Sequence, residues 1–164
     1  MAPTRAVLLA SAALLCVSSA CTTAAGGVAL RSDGTPGPEK CPSEAITTMR
    51  ILRLHVGDAA SVELDVNQTD ARPLYLYEGP VESMLNTDLG ILPGVTRLYG
   101  RVWTDGPHVV VRYYEAHPPD GEKVPICAVA RLAKGQLRKL PGSKPGIAEL
   151  EFSVASVYIV DSFR

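Results

Sequence analysis

Apolar residues recur with a period of two over much of this 164-residue chain. Val62, Leu64 and Val66 alternate with polar neighbours, and such alternation is typical of half-buried strands. Asp-Gly pairs flanked by proline interrupt the chain at close spacing, for example at 105–107 and 118–121. The sequence therefore predicts a mainly β domain, built as an antiparallel β-sandwich or a small barrel of about six to eight strands.

A short helix is expected before the strands. The run CPSE at 41–44 places proline in a first turn with an early acid, and apolar residues follow it at helical spacing. This predicts one N-terminal helix of about 12 residues. Residues 81–94 are less regular than the stretches on either side and end in Leu92-Pro93-Gly94. The apolar parity changes near 155–156, which predicts a bulge or a break in the last strand.

The first twenty residues are typical of a secretory signal peptide. Arg5 is the only charge before Arg31, the run from Ala6 to Val17 is apolar, and small residues occupy 18–20. The apolar run is too short to cross a bilayer, which takes about 20 residues. A buried or amphipathic N-terminal helix is the alternative, although the run has no polar face. Residues 1–20 are therefore assigned to a signal peptide.

The small residues that precede Cys21 resemble the lipobox of bacterial lipoproteins. This resemblance implies that the chain is cut before Cys21 and that its thiol is acylated, which attaches the protein to a membrane. Ser18 departs from the family pattern, which usually has leucine there. Ordinary cleavage after Ala20 is the alternative and would release the protein. Thr22, where an inner-membrane lipoprotein often has aspartate, favours the outer membrane or a periplasm-facing position.

Composition divides the remaining chain into two parts. Residues 21–40 are rich in Thr, Ala, Gly and Pro without apolar periodicity, so a flexible tether is expected. Residues 41–164 form the single β-rich domain. The formal net charge of −1 supplies no excess of positive charge, which argues against a nucleic-acid partner.

Two cysteines remain in the domain after Cys16 leaves with the signal peptide and Cys21 takes the lipid. In an exported domain, Cys41 and Cys127 predict one disulfide bond. Buried free thiols are the first alternative. Thiol or metal chemistry is the second, although the chain lacks a C-x-x-C motif.

Arginine and aromatic residues recur on two neighbouring predicted strands. They share one parity on each strand, and a short hairpin joins the two strands. If the faces coincide, they form a surface strip that binds a sugar, a peptide or a partner protein. A mixed outer face with aromatic cross-strand pairs is the alternative. The candidate binding face comprises Tyr99, Arg101, Trp103, Arg112 and Tyr114.

No motif assigns a catalytic residue, a metal site or a cofactor. The chain has no G-x-S-x-G or H-E-x-x-H motif, and His108 and His117 lie at opposite ends of one predicted strand. An envelope hydrolase would need Glu115, His117 and Asp120 to converge with an arginine. A glycosidase-like acid pair of Glu115 with Asp105 or Glu122 is a further version of this alternative.

A set of elements from Cys41 onward carries a second resemblance. These elements are Cys41-Pro42-x-Glu44-Ala45, Leu64-Asp65-Val66, Leu92-Pro93-Gly94-x-x-x-Leu98-Tyr99-Gly100-Arg101-Val102-Trp103-Thr104, Pro119-Asp120-Gly121-x-x-Val124-Pro125-Ile126-Cys127 and Gly142-Ser143-Lys144-Pro145-Gly146. Together they resemble a group of small exported myxobacterial lipoproteins, some of which carry the description serine/threonine kinase. The resemblance implies export and cysteine pairing, and it implies no activity. The chain contains no G-x-G-x-x-G, H-R-D or D-F-G kinase motif.

These observations lead to one expected function and one alternative. The chain is expected to be a lipid-anchored cell-envelope protein that acts as a non-catalytic binding or structural module. Its expected partners are the membrane, through lipid on Cys21, and an envelope protein or glycan. The alternative is an envelope hydrolase that acts on glycan or peptide.

Overall fold

The computed structural model describes residues 27–133 and 135–164. The expectations for the signal peptide, for Cys21 and for the first part of the tether lie outside these residues. The described elements are β1 (Glu39–Lys40), α1 (Ser43–Ile51), β2 (Ala59–Glu63), β3 (Leu74–Tyr77), β4 (Gly79–Leu85), β5 (Arg97–Trp103), β6 (His108–His117), β7 (Val124–Arg131), β8 (Leu137–Arg138), β9 (Ile147–Leu150), β10 (Val154–Ile159) and β11 (Ser162–Phe163).

Six antiparallel strands form a closed barrel. In the order β2, β4, β5, β6, β7 and β10, each strand pairs with the next, and β10 pairs with β2. This confirms the prediction of a mainly β fold with a small barrel and one short helix. Strands β3 and β9 form a separate pair, β1 pairs with β11, and β8 extends the sheet beside β6.

The barrel interior combines apolar side chains with a buried serine that makes two hydrogen bonds. Val62, Leu98 and Val111 are almost fully buried, as the period of two requires. Ser83 on β4 is also buried; its hydroxyl donates to the Leu64 carbonyl (2.7 Å) and lies 2.8 Å from the Tyr113 hydroxyl. A serine on the inner face of β4 explains why the apolar alternation of this part of the chain is weak.

A bulge in β6 changes which side chains face outward. Tyr99 pairs with Glu115 but Gly100 pairs with Tyr113, so Tyr114 is an extra residue on β6. The backbone comes so close here that a Cβ on Gly100 would lie 2.0 Å from the Arg112 carbonyl oxygen, which only glycine avoids. As a result, two consecutive residues of β6 point away from the core.

Helix α1 packs against β7 and is covalently tied to it. It begins after Pro42 and ends at Ile51, so it has nine residues, three fewer than expected. Met49 is buried, and its sulfur accepts a hydrogen bond from the Cys127 backbone N–H (3.4 Å). The predicted disulfide between Cys41 and Cys127 is confirmed, with the two Cα atoms 6.1 Å apart.

The C-terminal part of the expected tether is folded against the barrel. Leu30 bridges to Pro36, residues 35–37 are buried, and β1 pairs with β11. This segment has no apolar period because its contacts use backbone carbonyls and tight turns. Composition alone therefore suggests a tether where the chain forms an irregular covering layer.

The last part of the chain contains the expected break, but earlier than predicted. Strand β9 ends at Leu150 and pairs with β3 outside the barrel, whereas β10 begins at Val154 and joins the barrel. The chain changes partner strand over residues 151–153, so the inward parity changes there. Within the described residues, no helix has the length and apolar character needed to span a membrane.

Candidate functional site

Arg112, a member of the predicted binding face, is buried with its charge satisfied inside the fold. Its side chain is 1% exposed. One guanidinium nitrogen pairs with the Glu39 carboxylate (3.2 Å), and the other donates to the carbonyls of Gly37 (2.8 Å) and Pro36 (3.4 Å). The ring of Phe163 lies 5.0 Å from the guanidinium carbon. The N-terminal segment and β11 therefore cover this arginine.

Two aromatic residues of the predicted face belong to the same buried packing. The Trp103 ring lies 5.4 Å from the Arg112 guanidinium carbon, and only 4% of Trp103 is exposed. The Tyr114 hydroxyl donates to Glu39 (3.0 Å), and its ring meets Phe163 edge-on. Burial, with the neighbouring Glu39 charge, raises the pKa of Tyr114. These contacts explain why the face is arginine- and aromatic-rich: they hold the chain's own terminal segments.

The other two members of the predicted face keep access to solvent. Arg101 is the cross-strand partner of Arg112 and is exposed, with its guanidinium 5.6 Å from the Trp103 ring. Tyr99 is half-buried at the bulge and stacks on His117, with ring centroids 4.3 Å apart. The structure therefore divides the predicted strip into a covered half and an open half.

The open half contains a connected set of polar side chains. Tyr99 donates to Glu82 (3.0 Å), which also pairs with Arg97. On the neighbouring strand, Glu115 is hydrogen-bonded to His117, and the second oxygen of Glu115 lies 3.5 Å from Lys123 Nζ. Stacking of Tyr99 on His117 joins the two ion pairs. This surface group comprises Glu82, Arg97, Tyr99, Glu115, His117 and Lys123.

The charge state of Glu115 argues against a glycosidase acid at this surface. The hydrogen bond from His117, with Lys123 nearby, lowers the pKa of Glu115. A glycosidase general acid instead needs a raised pKa so that it holds a proton at neutral pH. Asp105 lies beyond the other end of β6, roughly 25 Å away at about 3.3 Å per residue. Its carboxylate accepts a hydrogen bond from the Gly146 N–H (3.1 Å).

A groove on the β3–β9 pair is lined by outward-facing aromatic and charged side chains. The pair lies with Leu74 and Leu76 inward, so Tyr75 and Tyr77 point outward, 42% and 61% exposed. Glu149 is the cross-strand partner of Tyr75. With Lys144 these side chains line a groove of about 360 Å³.

Hydrogen bonds fix the walls of this groove. The Gln68 side chain donates to the Tyr75 carbonyl (2.7 Å) and accepts from the Tyr75 N–H (3.2 Å), which closes the free edge of β3. On the other side, the Leu140 N–H donates to the Glu149 carbonyl (2.7 Å), and the Glu149 N–H donates to Ser143 Oγ (2.9 Å). The outer edges of the pair are therefore occupied at Tyr75 and Glu149, which fixes this part of the groove.

The sequence also contains a pattern that indicates exposed tyrosines in β3. In the run Leu74-Tyr75-Leu76-Tyr77 the leucines alone account for the core face. The tyrosines have the opposite parity and must therefore lie on the surface. Exposed aromatic rings there are typical of binding sites. What the sequence does not show is that β9, more than 70 residues later, supplies Glu149 beside them.

Metal-binding residues do not gather in the part of the chain that the structure describes. No group of three or more His, Cys, Asp or Glu side chains there is arranged to hold an ion. His108 and His117 lie at opposite ends of β6, and His55 follows α1, where it contacts Asp58 (3.6 Å).

Comparison of the chain with known protein families, with curated proteins and with solved structures finds no significant match.

Proposed function

We propose that this protein is an exported, lipid-anchored module that binds a cell-envelope glycan without catalysing a reaction. The observation that carries the proposal is the β3–β9 groove, where two exposed tyrosines share a rigid platform with a carboxylate and a lysine. Anchoring through Cys21 places the domain in the envelope, where such glycans are found.

Export is supported by chemistry within the folded domain. The Cys41–Cys127 bond joins positions 86 residues apart. Bonds of this kind persist in oxidising compartments and are reduced in the cytosol. The bond is therefore compatible with the signal peptide expected at residues 1–20 and with cleavage before Cys21.

The groove has the chemistry that a sugar chain requires. A pyranose ring offers a face of C–H groups, which packs on an aromatic ring, and an edge of hydroxyls, which need hydrogen-bonding partners. Tyr75 and Tyr77 stand two residues apart on one strand, roughly 7 Å along it. Glu149 and Lys144 supply an acceptor and a donor beside them.

The closed strand edges favour a glycan over an extended peptide. Peptides that bind to sheets commonly add a strand to a free edge through main-chain hydrogen bonds. Gln68 occupies the β3 edge at Tyr75, and the residues 140–143 occupy the β9 edge at Glu149. The groove therefore offers side chains rather than backbone to its ligand.

Anchoring is tested by the intact mass of the protein extracted from membranes of the producing cell. We expect a chain that begins at Cys21 and carries the mass of its acyl groups. A Cys21→Ser variant should lose the added mass and leave the membrane fraction. A wild-type chain that begins at Cys21 with no added mass would contradict the anchor.

Glycan binding is tested by co-sedimentation with purified peptidoglycan sacculi, with lipopolysaccharide as a second probe. Replacing Tyr75 and Tyr77 together by alanine should weaken binding on the order of 30-fold, because two aromatic stacking contacts are lost. Phe152→Ala is the matched control, since Phe152 has the same exposed fraction as Tyr75, 42%, and lies outside the groove. The proposal would be refuted if the double variant binds as well as the wild-type protein. It would also be refuted if the wild-type protein binds neither sacculi nor lipopolysaccharide.

A further inference from the structure

Four arginines converge on one groove of a chain whose formal net charge is only −1. Arg31, Arg112, Arg131 and Arg164 line a cavity of about 220 Å³, together with Asp33. Its walls are the N-terminal segment, the outer surfaces of β6 and β7, and the chain around β11. We call it the arginine groove.

The arginine groove keeps an excess of positive charge after its internal pairs are formed. Arg112 pairs with Glu39, and the pKa of Asp33 is lowered by hydrogen bonds from Thr35 and by the charge of Arg31. Within the described residues, neither Arg131 nor Arg164 forms an ion pair with a carboxylate, and both are exposed. Such a site suits an anion.

One wall of the arginine groove lies close in sequence to the proposed lipid anchor. Arg31 comes ten residues after Cys21. A chain rises by at most about 3.6 Å per residue, so Arg31 stays within roughly 35 Å of the acylated residue whatever its path. This step rests on the proposed lipid anchor. The groove wall formed by Arg31 is consequently within reach of the bilayer surface.

We propose that the arginine groove docks the domain on anionic phospholipid at the membrane that holds its lipid anchor. Guanidinium groups bind phosphate oxygens through paired hydrogen bonds, and they lose less hydration than ammonium groups in doing so. The domain then has two attachments, the acyl chains and the groove, which together fix how the barrel is oriented over the bilayer.

The test uses the mature chain with Cys21→Ser, which contains every described residue and carries no acyl chain. Vesicles of phosphatidylcholine alone and vesicles that also contain phosphatidylglycerol are sedimented with the protein. We expect binding only to the anionic vesicles, weakening as salt rises. The triple variant Arg31→Gln, Arg131→Gln and Arg164→Gln should lower the partition coefficient on the order of 50-fold.

A second triple variant separates a docking site from net charge. Arg50→Gln, Arg97→Gln and Lys123→Gln remove the same charge from three exposed positions outside the groove. This control should lose less than about 3-fold. Arg112 is left intact in both variants because the fold needs it. A matching thermal transition for the two variants shows that the loss does not arise from unfolding.

Three results would overturn the proposal. Equal losses in the two triple variants would mean that overall charge alone attracts the protein. Absence of binding to anionic vesicles would remove the membrane as partner. Binding of inorganic phosphate, seen as shifts of groove amide signals without vesicle binding, would make the groove a small-anion site. None of these results bears on the mass of Cys21 or on sacculus binding, so failure here and failure of the proposed function are distinguishable.

Discussion

The two halves of the strip on β5 and β6 have similar residues and opposite surroundings. In the half around Arg112, the guanidinium and the Trp103 ring lie beneath the N-terminal segment, which supplies Glu39, and β11, which supplies Phe163. In the half around Glu115, the ion pairs and the Tyr99–His117 stack stay at the surface.

The difference shows that a strand's own residues do not decide whether an outward face is open. Arg112 is buried by residues 34–40 and 162–163, which are 50 to 78 positions away in sequence. Arg101, directly opposite on the neighbouring strand, is left exposed. A buried charge must be fully paired, whereas a surface pair contributes little. The two halves should therefore respond very differently to substitution.

The disulfide next to the covered half should give the largest effect. It closes a loop across 86 positions, so its removal is expected to lower the free energy of unfolding by about 4–5 kcal/mol in the chain-entropy description. Cys41→Ser and Cys127→Ser should be similar to each other, and the double variant no worse than either, as urea denaturation will show. Additive losses would mean that the two cysteines act separately.

Removing the charge at Arg112 should give the second-largest loss of stability. Arg112→Met leaves two buried carbonyls without a donor and Glu39 without its cationic partner, and we expect the free energy of unfolding to fall by about 3 kcal/mol. Arg101→Met is the matched control on the opposite strand, with an expected change within about 0.5 kcal/mol. Chemical denaturation of both variants measures the contrast. Equal effects at the two positions would abolish the distinction between the covered and the open half.

The open half should give the smallest effect, visible mainly as a pH dependence. The folded state lowers the pKa of Glu115 below its ordinary 4.5, so the contact with His117 stabilises the fold above that pH. The stabilisation is lost as the pH falls through the folded-state pKa, and it amounts to less than about 1 kcal/mol because the pair is solvated. In His117→Gln, the carboxyl carbon of Glu115 should titrate closer to 4.5 by NMR. An unchanged midpoint would show that His117 does not hold the charge.

Local pattern predicted the elements of this fold better than their relationships. Residue spacing was sufficient to predict strand β2 from its period of two and the start of α1 at Pro42. The chemistry of two remaining cysteines was sufficient to predict the disulfide bond. The alternation of β4 is weak because Ser83 takes an inward position, where its hydrogen-bonding partners come from other parts of the chain. Residues 34–40 were expected to be part of a flexible tether. Their packing on the barrel could not be predicted because Arg112 binds the backbone carbonyls of Pro36 and Gly37, and every residue type has such a carbonyl.

The same limit applies to the candidate sites. The two strands that carry the predicted strip are neighbours as expected, since a short hairpin joins them. Its covering layer and the β3–β9 groove both depend on contacts between segments far apart in sequence. The cross-strand relation of Tyr75 and Glu149 spans 74 positions, so no local pattern contains it.

Quenching of the single tryptophan tests most directly whether the covered half is closed to ligands. Trp103 is the only tryptophan of the chain, and it belongs to that half with 4% of its surface exposed. Iodide and acrylamide should therefore quench its emission weakly in the native protein and strongly after unfolding. Saturating sacculus fragments should leave that emission unchanged, because they bind at Tyr75 and Tyr77. Strong quenching in the native state, or a change of emission on glycan binding, would contradict this account and return ligand binding to the Trp103 face.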